Sequence, residues 1–230
     1  MDRLFGVMVV ATMVFVVGGF SLWLIIDRVR ERRRRRALQR LAIELGLSYE
    51  ARDQDLVENL GIVHALSQAQ AEPRYAFNIL SGRYAGVCVR AFDYFCSPFR
   101  SGTMDMSATD FRSISVLLFE EQRSFPLLLI HPRGRMIRLD EMVTLKQVEL
   151  EAVEFARAFV VRAQDRKFAY DICHPRMMEY LLEHRDLSLE VEGRCIAMSF
   201  PQRLEPEEIR GRLDQLVEIR RLFPEYLYRD

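Results

Sequence analysis

The sequence predicts an α+β fold in which one N-terminal transmembrane helix is followed by a mostly antiparallel sheet domain with packed helices. Three observations support this prediction: an uncharged run of 23 residues near the N-terminus, strand-like segments that cluster together, and a hydrophobic content of 50% over 230 residues. Clustered strands are typical of antiparallel α+β domains, whereas strands that alternate with helices are typical of parallel sheets. The composition, with 11 Gly, 8 Pro and 4 Cys, excludes a disordered chain and a disulfide-dense miniprotein.

The uncharged run extends from Leu4 to Ile26. A helix of this length rises about 34 Å, and the hydrocarbon core of a bilayer is about 30 Å thick. Phe15 lies within the run, and Trp23 lies near its end, where an aromatic side chain suits a membrane interface. The sequence therefore predicts a membrane anchor that includes Leu4, Phe15, Trp23 and Ile26. A cleaved signal peptide and a buried core helix are the alternatives, but signal peptides have a shorter apolar region and core helices are usually amphipathic.

An arginine-rich segment follows the run directly. Residues 27–40 contain eight arginines against one Asp and one Glu. Five of these arginines are consecutive, and they are Arg32, Arg33, Arg34, Arg35 and Arg36. Because positive charge is retained on the cytoplasmic side, the segment predicts a topology signal in the inner (plasma) membrane, with the N-terminus outside and the C-terminal domain cytoplasmic. It would also attract anionic lipid headgroups. A nucleic-acid patch is the alternative, which the adjacent apolar run disfavours.

These features divide the chain into three predicted parts. Residues 1–26 form the N-terminal tail and transmembrane helix, residues 27–46 form an Arg-rich juxtamembrane helix, and residues 47–230 form one cytosolic α+β domain. No Gly/Ser-rich or Pro-rich linker interrupts the third part. The cysteines are expected to be reduced there, and none has the C-x-x-C or zinc-ligand spacing, so no metal site and no cofactor are predicted.

The elements of the domain follow from hydrophobic periodicity, in which helical spacing predicts helices and β-rich stretches predict strands. Helices are predicted over 31–46, 53–67, 166–184 and 206–223. The third is expected to be kinked or split, because Pro175 disfavours helical geometry at the preceding residue. Strands are predicted over 76–80, 84–95, 111–119, 126–131, 148–150, 155–162, 187–191 and 194–200, with a loop over 97–110. The last two strands are expected to form a hairpin around the turn signal at Glu192-Gly193. A pleckstrin-like barrel is the alternative fold, but the helix at 166–184 interrupts its element order.

Residues 78–94 carry a motif. Its matching residues are Asn78, Leu80, Gly82, Gly86, Val89, Phe92, Asp93 and Tyr94, in the pattern N-x-L-x-G-x-x-x-G-x-x-V-x-x-F-D-Y. Here the chain resembles an uncharacterised family of bacterial single-pass membrane-anchored proteins, which pair one N-terminal span with a soluble domain of this size. The stretches at 154–161 and 174–178 are similar as well. The resemblance covers about residues 38–223, supports the domain layout and implies no activity.

Asp93, Tyr94 and His174 are the candidate ligand-binding or partner-binding residues. Asp93 and Tyr94 end the strongest predicted strand, where a carboxylate could act as an acid or a ligand. Strand alternation places Phe92 and Tyr94 on one face of the sheet and Asp93 on the other, which we expect to be partly solvated. The alternative for Asp93 is a structural residue that accepts backbone or tyrosine hydrogen bonds at the end of the strand.

The chain contains no H-E-x-x-H, G-x-S-x-G, Walker A, kinase or G-x-G-x-x-G pattern. Cys173 and His174 are neighbours, but adjacent helical residues do not face each other, which argues against a nucleophile–base pair. We therefore predict a membrane-tethered cytosolic interaction or scaffold module that contacts the lipid bilayer and a protein partner, without nucleic acid; no oligomeric state is predicted. Enzymatic activity stays open, and the alternative is an unrecognised hydrolase or transferase with a site near Asp93, His131 or His174.

Overall fold

The computed structural model describes residues 2–56, 74–96, 112–134 and 145–228, and its description of residues 2–22 and 24 is limited to the backbone. Within these ranges one sheet of seven strands carries packed helices. Every strand pairing that these ranges contain is antiparallel. The predicted α+β class with a mostly antiparallel sheet is therefore confirmed.

The helices are α1 (Asp2–Leu45), α2 (Val153–Ala158), α3 (Arg166–Ile172), α4 (Pro175–Glu183) and α5 (Pro206–Leu222), with a 3₁₀ turn at Glu225–Tyr228. The strands are β1 (Ser48–Asp53), β2 (Arg74–Tyr84), β3 (Val87–Cys96), β4 (Arg112–Pro132), β5 (Lys146–Gln147), β6 (Phe159–Ala163) and β7 (Ser188–Phe200). The strand order is β1-β2-β3-β4-β6-β5, and β7 pairs with the other side of β4.

Strands β4 and β7 are each longer than predicted. The two predicted strands at 111–119 and 126–131 are one strand, and the predicted hairpin at 187–200 is another. The pairing of β4 with β7 continues through register shifts on both sides of Phe125, which is opposite Gly193. Gly193 has a φ of +56°. A glycine of this kind in a β-bulge bends a strand without ending it, so the turn signal at Gly193 marks a bulge.

The segment predicted as a strand over 155–162 divides into α2 and β6. Phe155 and Phe159 are both buried, and their ring centroids lie 5.0 Å apart in a stacked arrangement. Side chains four residues apart meet on one side of a helical turn, whereas in a strand they would be about 13 Å apart. The packing of this aromatic pair therefore favours a helix before the strand begins.

The helix boundaries that carry local signals are confirmed. Asp165 accepts hydrogen bonds from the backbone nitrogens of Lys167 and Phe168 at the start of α3. Pro175 is the first residue of α4, so the predicted helix at 166–184 is split as expected. Pro206 begins α5, where Glu205 and Glu208 form a capping box. The predicted helix at 53–67 falls mainly, and the loop at 97–110 entirely, outside the described residues.

The prediction of a transmembrane helix requires correction. Over the part of the chain that the structure describes, no helix is long and apolar enough to cross a membrane. Helix α1 does not end after Ile26 but continues through the arginine-rich segment to Leu45, and half of the side chains that the structure describes in it are charged. The single-pass assignment and the inner-membrane localisation are corrected with it. Of the predicted anchor residues, Trp23 and Ile26 are exposed, and the side chains of Leu4 and Phe15 lie outside the described residues.

Two apolar clusters cover the two faces of the central strands. The larger cluster packs α1 and α3–α5 against one face and includes Leu38, Ala42, Ala91, Leu117, Phe119, Leu213 and Leu216. The smaller cluster lies on the opposite face and includes Phe92, Tyr94, Val116 and Leu118. This division confirms the predicted alternation along β3. It also places Asp93 on the face where α1 and α5 pack.

Candidate functional site

Asp93 is the centre of a buried polar network between α1 and the sheet. It lies on β3, opposite Phe77 of β2 and Ser115 of β4, and its side chain is 4% exposed. The sequence placed Asp93 on the correct face, but the expectation of partial solvation is wrong. Arg34 of α1 and Leu204, which precedes α5, lie beside it and cover that end of the strand.

Four side chains donate hydrogen bonds to the Asp93 carboxylate. Ser115 Oγ donates to Oδ1 over 2.7 Å, and Asn78 Nδ2 donates to Oδ2 over 3.0 Å. Arg34 Nη2 lies 3.3 Å from Oδ1 and 3.1 Å from Oδ2. Arg203 Nε donates to Oδ2 over 3.2 Å. A carboxylate accepts about four hydrogen bonds, so the acceptor capacity of Asp93 is used within the protein.

Glu31 of α1 extends the network toward the solvent. Arg203 Nη1 and Nη2 donate to its two carboxylate oxygens over 3.0 Å and 3.1 Å, which is the bidentate arrangement of a strong ion pair. Burial raises the pKa of Glu31, but the hydrogen bond from Arg203 and the charge of Arg203 together outweigh this effect. The pKa of Glu31 is therefore lower than its usual value. The charges of Arg34 and Arg203 are therefore balanced by Asp93 and Glu31, and the exposed carboxylate of Glu205 lies 3.6 Å from Arg34 Nη1.

The pKa of Arg203, the arginine of this ion pair, shifts in the opposite direction. Burial lowers the pKa of Arg203, but hydrogen bonding to Glu31 and the charge of Asp93 raise it overall. The guanidinium also lies over the ring of Phe77, 5.1 Å from the ring centroid. Arg203 is thus held as a cation between a carboxylate of α1, a carboxylate of β3 and an aromatic face of β2.

The backbone conformation at Asn78 is unusual, and the side chain of Asn78 belongs to this network. The register of β2 with β3 shifts between Phe77 and Leu80, and Asn78 within this bulge has a φ of +53°. Asparagine tolerates this left-handed conformation better than most residues. Its Oδ1 accepts a hydrogen bond from the Tyr49 hydroxyl over 2.9 Å, while its Nδ2 points to Asp93. The asparagine and aspartate of the sequence motif therefore meet in one hydrogen bond.

Sequence reasoning missed three charged members of the network. Arg34 was interpreted with its neighbours as a topology signal, whereas its side chain is 12% exposed and contacts Asp93. A signal for Arg34 was present, because it precedes Leu38 by four residues and so shares a helical face with a core residue. Glu31 interrupts the arginine run on the same side of the helix. Arg203 follows β7 without any comparable signal.

The other predicted site residues lie elsewhere. Tyr94 is fully buried in the smaller apolar cluster. His174 is the N-cap of α4, where Nδ1 accepts from the backbone nitrogen of Met177 and Nε2 lies 2.7 Å from the carbonyl oxygen of Leu222. His131 is buried near the end of β4, opposite Val160 of β6. Asp93, His131 and His174 therefore do not converge on one cleft.

The thiol of Cys173, which precedes His174, is not activated as a nucleophile. Burial raises the pKa of the Cys173 thiol to about 12, and a thiol at that value carries almost no thiolate at neutral pH. Among the residues that the structure describes, no group of His, Cys, Asp and Glu side chains could hold a metal ion. The cavity beside Asp93 has a volume of about 10 Å³. Small-molecule sites are about 300–1,000 Å³, so this cavity is suited to a single water molecule.

The fold resembles that of a solved protein, although the sequence does not match a known family. No protein-family model matches the chain, and no curated protein matches it in sequence. The structure is similar to the crystal structure of the mycobacterial trehalose monomycolate transport factor A, TtfA, with a TM-score of 0.57 and 14% sequence identity. The similarity covers 82% of this chain and 91% of that chain. The two proteins therefore share a fold.

Proposed function

We propose that this chain is a non-enzymatic accessory factor in lipid transport, and that it acts as a scaffold for a protein partner. The observation that carries the proposal is the shared fold, which extends over 91% of the chain of TtfA, a trehalose monomycolate transport factor. Because a fold can host unrelated functions, the proposal also needs support from the site. That support comes from the hydrogen bonds of Asp93 and His174, which connect elements of the protein.

The buried network supports a scaffold role because it joins distant parts of the chain. Asp93 connects α1, β2, β4 and the segment before α5 through side-chain hydrogen bonds. Removing one partner of a buried ion pair typically costs about 3–5 kcal/mol. The network therefore fixes α1 on the sheet at a defined position and rotation. A partner that binds α1 or the sheet would therefore find the two in a constant relative orientation.

The same network argues against catalysis at Asp93. A catalytic carboxylate must reach a substrate, but four side chains of the protein donate to the Asp93 carboxylate and the adjacent cavity is too small for a substrate. His174 is committed to capping α4 and to the end of α5. These contacts favour a binding protein over the hydrolase or transferase alternative.

A lipid-export assay in the native host tests the proposal. The chain would be depleted, newly made lipids would be labelled with radioactive acetate, and the labelled classes would be compared between the inside and the outside of the envelope. We expect one class, an acylated sugar, to accumulate inside and to decrease outside. Wild-type chain should restore export, and Asp93→Asn should restore it less well than the surface control Glu218→Gln. An unchanged distribution of every labelled class would contradict the proposal.

An assay of the purified chain separates the two functional hypotheses. The full-length protein would be incubated with the accumulated lipid, and the products would be followed by mass spectrometry. We expect the lipid to stay chemically unchanged, because an accessory factor forms and breaks no covalent bond in its cargo. Conversion that depends on His131 or His174 would replace the scaffold proposal with the enzymatic alternative.

A further inference from the structure

The face of α1 that points away from the sheet has an unusual arrangement of side chains. Helix α1 contacts the apolar core through Leu38, Leu41 and Ala42. The helical period of 3.6 residues places another set on the opposite side. In chain order this set consists of Ile25, Ile26, Val29, Arg32, Arg33 and Arg36. The exposed face is therefore apolar from Ile25 to Val29 and cationic from Arg32 to Arg36.

All of these side chains are accessible to a ligand. The exposed fractions are 59% for Ile25, 42% for Ile26 and 40% for Val29, and Trp23 on the preceding turn is 58% exposed. The three arginines are exposed as well. Neighbouring apolar side chains that remain in contact with water mark an interaction site. The arrangement therefore suits a partner that offers anionic groups beside an apolar surface.

We propose that this face of α1, from Ile25 to Arg36, binds anionic phospholipid through its phosphate groups. Guanidinium groups form bidentate hydrogen bonds with phosphate, and the isoleucines and Val29 would contact the adjacent acyl chains. The acidic residues of this stretch, Asp27 and Glu31, lie on the sheet side of the helix by the same periodicity, and the carboxylate of Glu31, which is 38% exposed, is paired with Arg203. The inference goes beyond the proposed function, because it assigns a ligand to α1.

The order of apolar and cationic side chains along α1 favours a lipid over an acidic protein as the ligand. An amphipathic partner helix carries its apolar and acidic residues in two stripes that run along its axis, so a matching surface would also carry apolar and cationic stripes side by side. On α1 the two kinds of side chain are separated along the axis. Separation of this kind matches the layered chemistry of a lipid surface, in which phosphates lie above hydrocarbon. Tryptophan at the boundary fits the same layering.

The single tryptophan of the chain provides the test, since Trp23 is the only indole and lies beside this face. The purified full-length protein would be mixed with vesicles of phosphatidylcholine that contain about one third phosphatidylglycerol. Bromine atoms, which quench indole fluorescence on contact, would be placed on the acyl chains of one lipid or the other. We expect stronger quenching by brominated phosphatidylglycerol than by brominated phosphatidylcholine at equal mole fraction, and a smaller difference at high salt.

A triple variant with a matched control identifies the residues responsible. Arg32→Gln, Arg33→Gln and Arg36→Gln together remove three charges, and glutamine retains the helix propensity of arginine. We expect the affinity for phosphatidylglycerol vesicles to fall on the order of a hundredfold. The control replaces three exposed arginines outside α1, which are Arg83, Arg157 and Arg176. It should bind like the wild type, and circular dichroism should show unchanged helix content in both variants.

Several results would overturn the inference. Equal quenching by the two brominated lipids would remove the anionic preference, and an undiminished preference in the triple variant would exclude the arginine face. An equal loss of binding in the control would reduce the effect to overall charge. A shift of the Trp23 emission with polyglutamate, but not with vesicles, would identify an acidic protein instead. Because the assay uses only purified chain and lipid, these outcomes are independent of the export phenotype.

Discussion

At the scale of single residues, Asp93 shows how one carboxylate can organise several elements. Its donors come from Arg34, Asn78, Ser115 and Arg203, and Ser115 Oγ in turn accepts a hydrogen bond from the backbone nitrogen of Leu204 over 2.9 Å. Each donor would be costly to bury without its acceptor. The energetic role of Asp93 is therefore to make the burial of its neighbours possible.

Replacing Asp93 tests this role directly. Asp93→Asn retains the shape of the side chain, but it leaves the guanidinium of Arg34, which is 12% exposed, without its buried counter-charge. We expect the free energy of unfolding to fall by about 3–5 kcal/mol, measured by urea denaturation. The control is Glu218→Gln, which removes an exposed ion pair with Arg221 and should change stability by less than about 1 kcal/mol. Equal effects of the two substitutions would contradict the role assigned to Asp93.

The ion pair of Glu31 with Arg203 predicts a pH dependence. The pKa of Glu31 is lower in the folded protein than its usual value of 4.5. A lowered pKa contributes stability that is fully present above the unfolded value of 4.5 and is lost as the pH falls through the folded value. We therefore expect wild type to be more stable than Glu31→Gln at pH 7, and the difference to shrink as the pH falls below 4.5. A difference that stays constant with pH would exclude this contribution.

His174 is assigned a structural role by its two hydrogen bonds. His174→Ala would remove the N-cap of α4 and the contact to the Leu222 carbonyl. We expect a loss of about 1–2 kcal/mol, measured by thermal unfolding. Asparagine is among the best N-cap residues, so His174→Asn should recover the capping part of this loss. Equal destabilisation by the two substitutions would contradict the capping role.

At the scale of elements, the sequence predicted those boundaries that depend on local chemistry. Asp165, Pro175 and Pro206 mark helix starts through capping and backbone restrictions that act within a few residues. Gly193 was interpreted as a hairpin turn, because a glycine with a positive φ is equally compatible with a turn and a bulge. Only the strand opposite, which places Phe125 against it, decides between them. Pairing of that kind is not encoded near Gly193 itself.

The sequence predicted only part of the candidate site, again because contacts between distant residues are not encoded locally. The face on which Asp93 lies follows from strand alternation, and this part of the prediction was correct. The partners do not follow, because Arg34 and Arg203 are separated from Asp93 by 59 and 110 residues in the chain. Contacts at this range depend on the position of α1 and on the segment before α5, which periodicity does not determine.

Two glycines provide an element-scale prediction with opposite signs. A Cβ atom would meet nothing within 4 Å at either Gly193 or Gly211, so steric contact affects neither substitution. Gly193 has a φ of +56°, and Gly193→Ala should therefore destabilise by about 1 kcal/mol through backbone strain. Gly211 lies within α5, and Gly211→Ala should stabilise by about 0.5–1 kcal/mol through helix propensity. Thermal unfolding of the two variants measures both, and shifts of the same sign would contradict this account.

At the scale of the whole molecule, α1 is joined to the domain by two kinds of interaction. Leu38, Leu41 and Ala42 bury apolar surface against the core, which holds the helix but tolerates rotation about its axis. The ion pairs of Glu31 and Arg34 lie on one side of the helix and require a single rotation. The apolar contact therefore holds α1 against the sheet, and the polar network specifies its orientation.

This division of roles predicts that α1 undocks as a unit when the network is broken. In Asp93→Asn we expect the backbone amides of residues 31–45 to exchange with deuterium about 100-fold faster or more, since a loss of about 3 kcal/mol in the docked state lowers the cost of local opening by that factor. The amides of β4 and β7 should change less, because their ladder does not depend on α1. Hydrogen exchange with mass spectrometry measures both regions in one experiment, and Glu218→Gln serves again as the control. An equal acceleration in α1 and in the two strands would mean that the substitution lowers global stability alone, and the assignment of the network as the connection between α1 and the sheet would then be wrong.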